Sequence, residues 1–252
     1  MFWRKRKDIV LNCYTSRADV YNFFPIVETK KQIPKWFKEL PVPTFQKIED
    51  RTLAMANLKL CPAFTDYFKS GISMPLWSDL FVNIGKKNTL DYEWHYADKR
   101  SDIEYHAPEQ TNNNFDPLLY QHFKVTSPWL FSCDEDISFL AIEPGWQFDV
   151  LGSARILPGV VNFKYQPNTN INMFFVRENE GTELLFSAGM PIYHYFPLTD
   201  RKIAIKNHLV SDEGFNNLRA KGAPFKFIRE YEARKKRVKT MTCPFQHDVT
   251  TN

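Results

Sequence analysis

Leu76-Trp77-Ser78-Asp79-Leu80-Phe81-Val82-Asn83-Ile84, then Gly85-Lys86-Lys87-Asn88, then Thr89-Leu90-Asp91-Tyr92-Glu93-Trp94-His95-Tyr96: this stretch decides the fold class. Its second arm alternates strictly, with Leu90, Tyr92, Trp94 and Tyr96 on one face and Asp91, Glu93 and His95 on the other. Period-two alternation is the mark of a strand with one buried face, and the polar Gly-containing link between two such arms reads as a β-hairpin.

Working outward, the same punctuation recurs. Strands are expected at Gln121–Thr126, Ser138–Ile142, Gly159–Tyr165, Ile171–Arg177, Glu183–Ser187, Ile192–Phe196 and Ile203–Asn207. Pro144-Gly145, Pro158-Gly159, Pro167-Asn168 and Glu180-Gly181 supply turns between them. Towards the N-terminus Ile9 to Tyr14 reads as a first strand, and Ser16-Arg17-Ala18-Asp19 as the start of a short helix. Cys61 to Ser70 reads as a helix with Pro62 in its first turn, Phe64, Tyr67 and Phe68 on one face, and Gly71 as its C-cap. Past Gly214 the pattern turns helical again, with Phe227, Ile228 and Tyr231 facing one way over 225–238. The expected fold is mainly β, an antiparallel jelly-roll or double-stranded β-helix-like barrel or sandwich with short helices at both ends. One domain spans 1–252: an N-terminal part (1–74), a β core (75–210) and a basic helical extension (211–252).

Composition agrees with that class. The 252 residues include 22 Phe, 11 Tyr and 6 Trp against 9 Gly, so rings that favour strands and fill thick cores are abundant. No apolar run approaches the ~18 residues that a membrane helix needs, and no secretory signal is expected at the basic N-terminus. Cys13, Cys61, Cys133 and Cys243 lie far apart with no CxxC pair, the pattern of buried free thiols. The net charge of +4 is uneven. The first seven residues carry four positive charges and residues 226–239 carry seven against two negative, which leaves the chain between them net negative.

Candidate chemistry is sparse. A facial iron site in a β barrel needs His-x-Asp or His-x-Glu plus a distant His, and none of the six histidines offers it. His95 with Asp98 and His106 with Glu109 are spaced for a helix but fall in strand or loop. There is no G-x-S-x-G elbow and no phosphate-binding glycine loop. Cys133, followed by Asp134-Glu135-Asp136, sits where acidic neighbours raise a thiol pKa. Acids and aromatics such as Asp79, Asp91, Glu93 and Trp94 are available for glycan chemistry, but no carboxylate pair is assignable from sequence. No catalytic residue, metal ligand or cofactor is therefore predicted. The candidate binding residues are Arg234, Lys235, Arg237 and Lys239, a basic helical face suited to an acidic partner. Nucleic acid is the less favoured partner because that helix lacks interleaved aromatics.

Several phrases carry a resemblance. They are Cys61-Pro62-Ala63-Phe64-Thr65-Asp66-Tyr67-Phe68, Met74-Pro75-Leu76-Trp77-Ser78-Asp79, Ser127-Pro128-Trp129, Leu157-Pro158-Gly159-Val160-Val161-Asn162, Gly189-Met190-Pro191-Ile192-Tyr193 and Cys243-Pro244-Phe245. Together, over residues 30–245, the chain resembles an uncharacterised protein family of tailed phages, the T-even-like myoviruses of marine cyanobacteria. The resemblance implies a phage context, in the virion or the host cytoplasm, and no activity. It leads to two expectations. The first is a binding or structural protein that meets other phage proteins, a host protein or further copies of itself. The alternative is an enzyme using a barrel interior, either a non-haem iron 2-oxoglutarate-dependent oxygenase or a sugar-active enzyme.

Overall fold

The computed structural model describes residues 7–42, 44–101, 103–105, 107–111, 113–147, 151–221, 232–233 and 235–237. The fold is mainly β. Its largest sheet runs β11 (Ala154–Ile156), β13 (Asn168–Val176), β9 (Tyr120–Ser132), β1 (Ile9–Thr15) and β16 (Ile203–Leu209), with β8 (Ile103–Tyr105) also paired to β9. A second sheet runs β12 (Gly159–Val161), β10 (Phe139–Ile142), β15 (Pro191–Pro197), β5 (Ile72–Pro75) and β2 (Val27–Glu28). Smaller sheets join β14 (Thr182–Phe186), β6 (Leu80–Ile84) and β7 (Tyr92–Tyr96), and pair β3 (Thr44–Ile48) with β4 (Arg51–Met55). The helices are α1 (Ala18–Phe23), α2 (Lys35–Glu39), α3 (Pro62–Ser70) and α4 (Asp212–Lys221).

The deciding hairpin forms, with Leu80↔Tyr96, Val82↔Trp94 and Ile84↔Tyr92 in register. Leu80, Val82 and Ile84 are buried, whereas on the second arm Tyr92 is 42% exposed and Trp94 and Tyr96 are half-buried, so the expected alternating face is only partly covered. The link is longer than expected, because Leu90 lies in a loop and is 60% exposed. The first arm is shorter: Leu76 pairs with the 187–190 turn through Leu76 N–H to Met190 O (2.8 Å) and Gly189 N–H to Leu76 O (2.7 Å). Gly189 takes φ +84, the left-handed turn residue its phrase suggests.

Three features depart from expectation. The sheets do not close into a barrel among the described residues. The large sheet is not wholly antiparallel, since β1 and β16 run parallel, Ile9↔Ile203 through Thr15↔Leu209. Finally, β9 continues through Ser127-Pro128-Trp129 where a break was expected. Pro128 is tolerated because the β9–β13 ladder shifts register there, between the Asn170↔Thr126 and Asn168↔Leu130 pairs, so no regular ladder bond is asked of it. Gly71 also has another role than a left-handed cap. Its backbone is extended, and a Cβ there would stand 2.5 Å from Thr29 Oγ1 and 3.0 Å from Phe196, so glycine is required by close packing.

The two large sheets share one core. Phe131 stacks on Phe163 at 4.7 Å and meets Tyr195 at 5.4 Å, while Phe139 lies 5.0 Å from Phe163. Trp129 is fully buried beside them in the same hydrophobic cluster, which β1 enters through Ile9, Leu11 and Cys13. Arg177, just past β13 and almost wholly buried, donates to Pro117 O, Asp91 O and Gln121 Oε1, binding two loops and the start of β9 to one guanidinium. No helix among the described residues is long and apolar enough to cross a membrane. Replacing Trp129 by Ala should lower stability by about 3–5 kcal/mol, the range for buried ring deletions, read as a shift of the urea midpoint with unchanged slope.

Candidate functional site

β15 lies in the middle of its sheet, between β10 and β5, and alternate side chains leave it on opposite faces. Tyr193 and Tyr195 enter the shared core, whereas His194 and Phe196 point to the other side. That second face is covered by α3, which brings Tyr67 to 4.7 Å from Phe196 and 5.7 Å from His194. Proline at the first helical turn and the Phe64/Tyr67/Phe68 face make α3 amphipathic, so it docks on the sheet. Phe68 is buried there against Phe37 of α2, 4.9 Å away, and against Trp146 at 4.8 Å.

Between these elements a cleft of about 420 Å³ remains. Trp36 of α2, Leu58, Phe64 and Tyr67 form one side, and Ile142, Glu143 and Trp146 after β10 form the other. Trp146 meets Tyr67 edge-on at 5.2 Å. Glu143 is the one acid in the lining, and its Oε2 accepts from Ile156 N–H at 3.0 Å. Such a cleft suits an apolar or ring-bearing group that stacks on indoles and phenyls.

Its inner wall holds a buried polar pair. Tyr67 Oη and His194 Nδ1 are 2.8 Å apart. Burial raises the Tyr67 phenol and pushes His194 down to about 3, so the pair is neutral at physiological pH. A protonated phenol with His194 as its hydrogen-bond partner donates to Nδ1. The remaining ring proton then sits on Nε2, a buried atom that no described residue accepts from.

The binding residues expected from the sequence lie elsewhere in the chain. Of the basic candidates, Arg234 and Lys239 lie outside the described residues, as do Phe227, Ile228 and Tyr231. Lys235 is half-buried and Arg237 exposed on a short helical stretch, and neither lines the cleft. The suggested His95/Asp98 pair is not brought together: His95 Nε2 contacts Glu93 at 2.7 Å, and Asp98 pairs with Arg17 at 2.8 Å. Among the described residues no three of His, Cys, Asp and Glu converge. The Cys133 thiol is raised as expected, chiefly by burial, with Glu135 and Asp134 adding less.

What the sequence did contain is the set of phrases that meet here. Cys61–Phe68 supplies α3, while Met74–Asp79 and Gly189–Tyr193 are joined through Leu76 and lead into His194. No family model matches the chain, and no curated protein matches it either.

Because folded His194 titrates near 3 and an unfolded histidine near ~6.5, the unfolded chain gains a proton across that interval that the native chain refuses. Its contribution to stability is therefore complete above pH ~6.5 and shrinks as pH falls, by up to about 1.4 kcal/mol per pH unit. His194→Asn, whose Oδ1 can still accept from Tyr67, should show a shallower fall of Tm between pH 6.5 and 4 than the wild type. An identical slope in both proteins would mean that His194 is not held neutral.

Proposed function

We propose that this chain is a phage-encoded interaction protein that grips a protein partner through the aromatic cleft and the adjoining apolar chain of residues 36–64. The observation that carries the reading is a run of large apolar side chains left in solvent on this one segment. Trp36, Phe45, Leu53, Met55, Leu58, Leu60 and Phe64 are each 36–64% exposed. Polar contacts tie the segment together: Asn57 donates to Pro41 O and to Thr44 Oγ1, and Lys59 Nζ donates to the carbonyls of Lys38 and Leu40.

The β3–β4 hairpin within it is two strands wide and pairs with no other described strand. Isolated two-stranded hairpins are marginal in water, and clustered exposed apolar groups mark binding surfaces on soluble proteins. Both facts support a surface completed by a partner. Virion or infection-stage phage proteins, a host protein and further copies of this chain are the classes of partner that the resemblance implies. The reading takes the β scaffold to be of jelly-roll type, which two sheets facing one aromatic core support.

The test compares the wild type with a Leu53→Ser/Met55→Ser double variant, two exposed side chains on one face of the hairpin, and with Trp36→Ala as baits in phage-infected lysate, with quantitative mass spectrometry of what is retained. Exposed positions should leave the stability nearly unchanged, within about 0.5 kcal/mol for each substitution. At least one phage or host protein should be held by the wild type and depleted at least about tenfold on the variants. Equal retention on all three baits would overturn the reading.

A further inference from the structure

A second recess lies over the outer face of the large sheet, and its chemistry differs from that of the aromatic cleft. The outward residues of β9, Lys124, Thr126 and Pro128, form its floor, and Phe215 and Arg219, one turn apart on α4, cross above it. One section of about 300 Å³ reaches Arg17 and Trp77, and a neighbouring section of about 130 Å³ reaches Asn168. Glu104, Thr126, Ser127, Phe215 and Arg219 line both sections, so the two form one groove.

Most charges around the groove are already matched. Arg17 contacts Asp19 and Asp98, each at 2.8 Å, and Arg100 reaches the same acids at 2.7 and 3.7 Å. Ser101 Oγ accepts from Trp77 Nε1 at 2.8 Å and from Arg17 Nη1 at 3.0 Å, and donates to Asp98. Lys124 pairs with Glu104. Two arginines against two aspartates, and one lysine against one glutamate, leave a neutral frame.

Besides Thr169 Oγ1, three groups remain unmatched. Arg219 makes no hydrogen bond or ion pair with any described residue. Arg17 Nε and Asn168 Oδ1 are buried and have no partner among the described residues. A buried donor or acceptor without a partner costs stability, and groups left so in a recess are suited to a ligand. The set comprises one free guanidinium, one spare guanidinium N–H and one amide oxygen that can only accept.

We propose that this groove binds a hydroxylated organic oxyanion of about monosaccharide size, a sugar phosphate or sugar acid. Its anionic group is held by Arg219 and Arg17 Nε, and a hydroxyl donates to Asn168 Oδ1. Guanidinium suits both phosphate and carboxylate because its N–H groups match two oxygens of either at once.

Calorimetric titration of the intact protein with glucose 6-phosphate, glucuronate, glucose and inorganic phosphate tests this. Glucose 6-phosphate or glucuronate should bind with one-to-one stoichiometry, and which of the two binds tighter distinguishes a phosphate from a carboxylate ligand. Arg219→Glu should weaken that binding at least about tenfold, since an attraction becomes a repulsion on an exposed residue, with Tm unchanged. Asn168→Ala should weaken the sugar-bearing anions while leaving inorganic phosphate as it was. No binding of either sugar anion would overturn the proposal. So would binding unaffected by Arg219→Glu, or inorganic phosphate binding as tightly as the sugar anions.

Discussion

A strand buried on both faces leaves no position free for solvent, and β15 is such a strand. Pro191 through Tyr195 are all buried. A polar group there without a hydrogen-bond partner costs several kcal/mol. On one side Tyr193 Oη donates to Leu157 O, while Tyr195 joins the core rings with its Oη lacking a hydrogen-bond partner among the described residues. On the other side His194 stays neutral and uses Nδ1 against Tyr67. Docking of α3 is therefore bound up with the identity of one histidine, and the aromatic cleft is the space left where α3, α2 and the Ile142–Trp146 loop meet around that strand. The core and the candidate site are two sides of one layer.

The β class was legible because its signal is local. Alternation at Tyr92, Trp94 and Tyr96 needs only neighbouring residues to be read, and Leu80, Val82 and Ile84 complete it across the hairpin. The α3 helix was legible for the same reason. What sequence could not give was the pairing of distant strands. Nothing near Ile9 says that it will lie beside Ile203, and nothing near Pro128 says that a register shift will excuse a proline inside a thirteen-residue strand. The distinction matches the physics: periodicity encodes which face is buried, while the partner across the ladder is chosen by the whole chain.

The aromatic cleft was not legible in the sequence for a related reason. Charge clusters such as Arg234 to Lys239 are conspicuous in a sequence and attract functional readings. Tyr67 and His194, 127 residues apart, are conspicuous only once they touch. The signal that was present lay in the unusual phrases, Cys61–Phe68, Met74–Asp79 and Gly189–Tyr193, which read individually as turns and core anchors. Their convergence on one layer is what local reasoning could not supply. The Arg17–Asp19–Asp98–Arg100 lattice was invisible for the same reason, because its members come from two segments some eighty residues apart.

The parallel pairing of β1 with β16 bears on how the protein is made. Ile9 leaves the ribosome nearly two hundred residues before Ile203, its partner in the ladder, exists. During that interval Ile9, Leu11 and Cys13 have no β16 edge beside them, and the β9 residues that pair with Asn12 to Tyr14 also follow more than a hundred residues later. The large sheet can therefore be completed only after Ile203 to Leu209 have been made, however early the local hairpins form. Long-range pairing of this kind makes folding slow and leaves apolar strands exposed to wrong partners on the way. The protein's yield would then be set as much by chaperone occupancy during translation as by the stability of the finished fold.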